Sequence, residues 1–115
     1  MVAAHRWRRN ELVNFAGAEA APGYEAAVRL GAGGVHVSRG RLAANEGADI
    51  GAAELVVAVI ESGAFEMEWR PAGDDKPRRD LLLPNSAQIV PAGLPCHARW
   101  TARPTILAVA FDAKL

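Results

Sequence analysis

The chain has 115 residues, half of them apolar, with 13 basic and 13 acidic side chains and a formal net charge of zero. That length suits one domain with its own core, and a balanced charge gives no general attraction for a nucleic-acid backbone. The single cysteine, Cys96, excludes an intrachain disulfide, and the apolar run of residues 55–60, as long as any in the chain, is far too short to span a bilayer as a helix.

Residues 1–14 are polar, with Trp7, Leu12 and Val13 scattered among them. His5, Arg6, Arg8 and Arg9 surround Trp7, and no apolar run follows of the kind a signal peptide needs. The expectation is a soluble, cytoplasmic chain that contacts no membrane. Residues 15–23 are Ala-rich and end in Ala-Pro-Gly, which breaks a helix. Residues 1–23 therefore read as an N-terminal arm on a single domain. Residues 24–30 suit a strand, and Gly31-Ala32-Gly33-Gly34 a turn. That glycine cluster lacks the Lys-Ser/Thr ending of a P-loop and the spacing of a dinucleotide fingerprint.

Residues 35–42 read as a strand and residues 43–53, rich in Gly, Asn, Glu and Asp, as a loop. Residues 55–60 are apolar throughout, the pattern of a strand covered on both faces. In residues 64–70, Phe65, Met67 and Trp69 alternate with Glu66, Glu68 and Arg70, the period-two pattern of a half-buried antiparallel strand. These last two runs suggest a hairpin. After a turn over residues 71–77, further strands are expected at 78–83, 87–90, 97–101 and 105–111. Short strands separated by Gly and Pro indicate an all-β antiparallel sandwich or barrel. Its expected inward positions are Leu55, Val57, Phe65, Met67, Trp69, Ile89 and Leu107.

Few residues suggest chemistry. Cys96 and His97 are adjacent, so in a strand they point to opposite faces and cannot readily share a metal. His5 and His36 are distant and form no His-x-His. No three convergent metal ligands assemble, so no metal and no other cofactor is expected. Glu66 and Glu68 read as a solvated or partner-facing surface. Glu54 stands at the entrance to the apolar strand and is the more interesting carboxylate. In a small barrel, core and ligand wall share the same inward positions. The candidate lining of a ligand cavity is Glu54, Phe65, Met67, Trp69, Cys96, His97 and Trp100, with no catalytic residue among them.

One stretch carries a family resemblance. Asn85, five residues, Pro91-Ala92-Gly93, two residues and Cys96 resemble the second cupin motif, which runs Gly, five residues, Pro-x-Gly, two residues, His. Asn85 replaces the turn glycine, and Asn also visits left-handed angles. Cys96 stands where the metal-binding histidine would be. The His-x-His of the first motif is absent around residues 50–54, where only Glu54 echoes its carboxylate. Val37-Ser38-Arg39-Gly40-Arg41-Leu42, Phe65-Glu66-Met67-Glu68-Trp69-Arg70 and Ile89-Val90-Pro91-Ala92-Gly93-Leu94-Pro95, with segments reaching Asp112, look like the N-terminal sensor domain of AraC-type transcriptional regulators.

The resemblance implies an antiparallel cupin-like barrel (a double-stranded β-helix, or jelly-roll). It implies a non-enzymatic sensor that binds a small effector, forms a homodimer, or both. The family's helix-turn-helix DNA-binding domain is not present in this chain, so no direct nucleic-acid binding is expected of it. The alternative is a small stand-alone cupin, a metal-dependent isomerase or dioxygenase, against which the missing histidines count.

Overall fold

Glycine, proline and asparagine cut the sequence into short β-rich runs, and the computed structural model, which describes residues 11–16, 23–70 and 76–113, has no helix among them. Ten strands follow in order: β1 (Glu11–Val13), β2 (Tyr24–Ala32), β3 (Val35–Leu42), β4 (Asn45–Ala52), β5 (Leu55–Ser62), β6 (Phe65–Arg70), β7 (Arg78–Leu82), β8 (Ala87–Val90), β9 (Cys96–Trp100) and β10 (Thr105–Phe111). They form two five-stranded sheets. The first is ordered β1-β4-β9-β6-β7 and the second β2-β3-β10-β5-β8. No helix of the described residues is long and apolar enough to cross a membrane.

The core lies between the sheets. On β10, buried Ile106, Ala108 and Ala110 alternate with half-buried Leu107, Val109 and Phe111. Val56 and Ile60 join them from β5, while Phe65, Leu82, Ala98 and Trp100 come from the first sheet. Each fully buried Val, Ile or Phe contributes about 1.5–3 kcal/mol of transfer free energy.

Register settles what composition left open. Residues 55–60 are apolar at every position, so alternation cannot say which face is inside. Ala58 pairs with the fully buried Ala108, and Val57 with Val109. Val56, Ala58 and Ile60 therefore face the interior; Leu55, Val57 and Val59 face out. Of the expected inward positions, Phe65, Met67 and Trp69 do lie in or against the core. Leu55 and Ile89 do not, being 42% and 74% exposed. Val57 and Leu107 are half-buried on the same outer face.

Three further expectations are corrected. β5 and β6 form no hairpin, because they belong to different sheets; the chain crosses between them at Gly63, whose φ is 74°. Residues 45–52 are a strand rather than a loop. Their turn-forming residues are absorbed in an irregularity between Glu46 and Asp49. Asn45, 1% exposed, fills it. Its side-chain carbonyl accepts from the amides of Gly47 (3.1 Å) and Ala48 (2.9 Å), and its amide donates to the carbonyls of Ala48 (3.0 Å) and Ala98 (2.6 Å). Both donors and the acceptor of a buried Asn are thereby satisfied. The pairing is also not wholly antiparallel: β1 runs parallel to β4, tying residues 11–13 of the expected arm into the sheet. Residues 1–10 and 17–22 of that arm lie outside the described residues.

The corner after β8 forms as its sequence suggests. Asn85 adopts a φ of 68°, the left-handed angle that Asn tolerates in a glycine's place. Pro91-Ala92-Gly93 then carries the chain from β8 in the second sheet to β9 in the first. The Gly93 amide donates to the Ala52 carbonyl at 2.8 Å, which fastens the corner to β4.

Candidate ligand-binding site

Strand alternation sorts the candidate lining residues. On β9, Ala98 and Trp100 are buried and pair with Trp69 and Asn45, so Cys96 shares their inner face. His97 falls on the outer face, as does Arg99. There the His97 Nδ1 lies 3.4 Å from the Asp49 carboxylate. Phe65, Met67, Trp69, Cys96 and Trp100 thus share one inner wall. His97 is not part of it, because one residue of displacement along a strand reverses the face.

The two tryptophans of this wall differ. Trp100 is 3% exposed and its indole N–H donates to the Ala43 carbonyl at 3.1 Å, which makes it a core residue. Trp69 is half-buried, and its indole N–H donates to the Asp80 carboxylate at 2.6 Å. The Arg78 guanidinium lies 5.3 Å from the centre of its ring, within reach of a cation–π attraction. Asp80 and Arg78 on β7 thus hold Trp69 at the margin of the interior.

Three further polar side chains are buried wholly or in part. The Tyr24 hydroxyl and the Ser38 hydroxyl are hydrogen-bonded at 2.8 Å within the second sheet. Glu54, half-buried in the turn between β4 and β5, keeps Oε2 buried with no hydrogen-bond partner among the described residues. A buried carboxylate oxygen left unpaired is costly, and such exceptions call for an explanation. Burial pushes the Cys96 thiol above its ordinary 9.0, and the Asp49 carboxylate adds to the effect. The thiol is therefore protonated at neutral pH, which makes it a weak nucleophile.

The sequence pointed to the aromatic wall through alternation. It gave no sign of Tyr24 with Ser38, of Asp80 on Trp69, or of Asn45, because each depends on pairing between strands.

No family model matches the chain, and no curated protein matches it. Solved structures do. A provisionally assigned mannose-6-phosphate isomerase from Ralstonia eutropha JMP134 is 24% identical, with a TM-score of 0.50 over 78% of this chain and 83% of that one. A cupin domain from Bordetella pertussis Tohama I is 14% identical, with a TM-score of 0.52 over 80% and 96%. The fold is cupin-like. The Fe(II) form of HppE in complex with substrate is 18% identical, with a TM-score of 0.53 over 76% of this chain and 48% of that longer one. Identities this low carry the architecture and nothing finer.

The Fe(II) in the last of these raises the question of a metal here. The donor set of the described residues does not fit one. Among the described residues no three His, Cys, Asp or Glu side chains gather as a metal site would require. At the corner, the imidazole of His97 faces outward while the thiol of Cys96 faces inward, so the two do not converge on one point.

Proposed function

We propose that this chain is a non-catalytic binding module, a cupin-like sensor domain of the kind that precedes the DNA-binding half of AraC-type regulators. A small effector enters between the sheets and contacts the half-buried part of the inner wall, Met67, Trp69 and Cys96, which the core residues Phe65 and Trp100 back. The observation that carries this reading is the buried oxygen of Glu54 that finds no partner among the described residues, together with the largely apolar and aromatic inner face of the first sheet. An apolar pocket with one placed polar group orients a small molecule. The matching effector is a small organic compound with an N–H or O–H donor for Glu54 and an apolar body for the wall. The resemblance of residues 35–112 to regulator sensor domains supports the regulatory role, and the balanced charge supports leaving DNA contact to another domain. The competing reading is a small metal-dependent cupin enzyme. It draws on the names of two structural neighbours, and the donor set counts against it.

Thermal denaturation separates the two. The chain is melted with a panel of small aromatic amines and alcohols, and separately with Fe(II), Mn(II) and Zn(II). An effector at a hundred times its Kd adds about 2.7 kcal/mol of stability. The expected result is an organic compound that raises Tm, an effect lost in Glu54→Gln, with no shift from the metals alone. One equivalent of metal retained through dialysis, with a raised Tm, would overturn the proposal in favour of the enzyme.

A further inference from the structure

The two sides of the sandwich are closed differently. β1 and β2 are the edge strands on one side; β7 and β8, joined by residues 83–86, are those on the other. On the first side Phe15, which follows β1, packs against Tyr24 of β2 with ring centroids 4.8 Å apart. Both residues are buried, as is Val13, so an aromatic contact between the sheets closes that side. On the second side, pairing with Trp69, Met67 and Phe65 puts Arg78, Asp80 and Leu82 on the inner face of β7. Pairing with Ala58 and Val56 puts Gln88 and Val90 on the inner face of β8. Leu82, beside the connection to β8, is buried, but Arg78, Asp80 and Gln88 are exposed and Val90 is half-buried. Away from that connection, solvent reaches the inner faces of both edge strands.

Trp69 lies across this opening. It stands on β6, one strand in from the β7 edge. Its indole N–H donates to the carboxylate of Asp80, its diagonal neighbour across the strand pair, at 2.6 Å. A hydrogen bond to a carboxylate is stronger than a neutral one, and this one draws the ring toward the edge strand, where the Arg78 guanidinium lies 5.3 Å from its centre. On β9, behind the ring, Ala98 is its direct partner and Cys96 is one inward position further. A diagonal neighbour is within reach of an aromatic side chain, so the indole screens the inward thiol from the β7 side.

We propose that the interior is entered between β7 and β8, past Trp69, and that Asp80 is the positioning residue of that entrance. Its carboxylate holds the indole in the orientation that screens the half-buried inner wall. Asp80 acts through Trp69 and sets how readily the wall is reached. That the passage serves an effector rests on the sensor reading; the passage itself does not.

Cys96 reports the passage, because it is the one cysteine of the chain and is free. The full chain is labelled with dithiodipyridine: the Cys96 thiolate attacks the reagent's disulfide, a mixed disulfide forms, and the thiopyridone that leaves is read by its absorbance. Asp80→Ala and Trp69→Ala are each expected to raise the rate by about tenfold, the scale of losing a hydrogen bond to a charged group. Asp80→Asn keeps an oxygen to accept from the indole and is expected to keep the slow rate. Gln88→Trp narrows the passage from β8 and is expected to slow labelling. Ile106→Val loosens the core elsewhere and is expected to leave the rate unchanged. Circular dichroism shows that each variant is folded at the labelling temperature. Equal rates in the wild type, Asp80→Ala and Trp69→Ala would overturn the proposal. So would a rise in Ile106→Val as large as in Asp80→Ala, which marks general loosening, and so would indifference to Gln88→Trp, which places the path elsewhere. No effector takes part in these rates, so a panel in which no compound raises Tm overturns the sensor reading alone.

Discussion

Tyr24 is 1% exposed, and its hydroxyl shares a hydrogen bond with Ser38 at 2.8 Å. Burial raises the phenol above its ordinary 10.0, against the smaller opposing effects of the Ser38 hydrogen bond and Arg29. The folded chain therefore binds the phenolic proton more tightly than the unfolded chain does. The stability this contributes is fully present below about pH 10 and is lost as the pH rises through the raised folded value. Tyr24→Phe removes the titrating group and leaves the Ser38 hydroxyl without that partner. It is expected to cost about 1–2 kcal/mol at neutral pH and to flatten the alkaline loss. Urea titrations between neutral pH and pH 11 check both parts. Equal alkaline sensitivity in the two proteins would place the loss elsewhere. Because this is the one tyrosine in the chain, phenolate absorbance reads its titration directly. None of this was legible beforehand. Tyr24 and Ser38 meet only because β2 and β3 pair with an irregularity between Ala26 and Val28, and residue type does not report a bulge. Asn85 was legible, because its left-handed angle follows from its own side chain.

Strands show the same division. The 64–70 run, with its apolar and charged residues alternating, declared its inner face, and β6 buries that face. The 55–60 run is apolar throughout, and its face was fixed only by a partner fifty residues away. β4 was hidden because its Gly, Asn and Asp residues are those of a turn. Asn45 converts them to strand by supplying hydrogen bonds that a regular ladder would otherwise provide. The corner of residues 91–95 was legible, yet its seating on β4 was not. A Cβ at Gly51 would stand 2.9 Å from the Leu94 carbonyl oxygen and 3.1 Å from the Pro95 Cα. Both obstacles are backbone, so Gly51→Ala has to push the corner off β4. The expected cost is about 1–3 kcal/mol, as for other overpacked sites. In a domain of this size that lowers Tm by about 4–8 °C for each kcal/mol. Calorimetry measures it. An unchanged or raised Tm would mean that the corner yields freely, and the entropy lost with a glycine would then favour the alanine.

Across the whole molecule, sequence neighbours seldom pair. Within the first sheet only β6 and β7 are consecutive, and within the second only β2 and β3. Every other pairing joins strands separated by intervening elements, and β1, β4 and β9 draw on both halves of the chain. This explains why the sandwich class was legible while the strand order was not. Alternation and turn residues specify strands one at a time, and order is a property of the assembled core. The same topology constrains kinetics. Loop-closure entropy must be met before long-range pairs reward it, so domains dominated by such pairs fold slowly. Only the β2–β3 and β6–β7 hairpins can form locally. Refolding from denaturant, followed by tryptophan fluorescence at low protein concentration to avoid association, is expected on the millisecond-to-second scale. The core indole of Trp100 reports the joining of β9 to β4 and β6, since its N–H reaches the Ala43 carbonyl only after β9 is in place. Deleting a core methylene on β10 by Ile106→Val should lower stability by about 0.5–1.5 kcal/mol. If β10 joins before the rate-limiting barrier, the loss appears in the folding rate; if after, it appears in unfolding. Recovery of the full fluorescence change within a fraction of a millisecond would contradict a topology in which the central strand of the second sheet is also the last strand of the described chain.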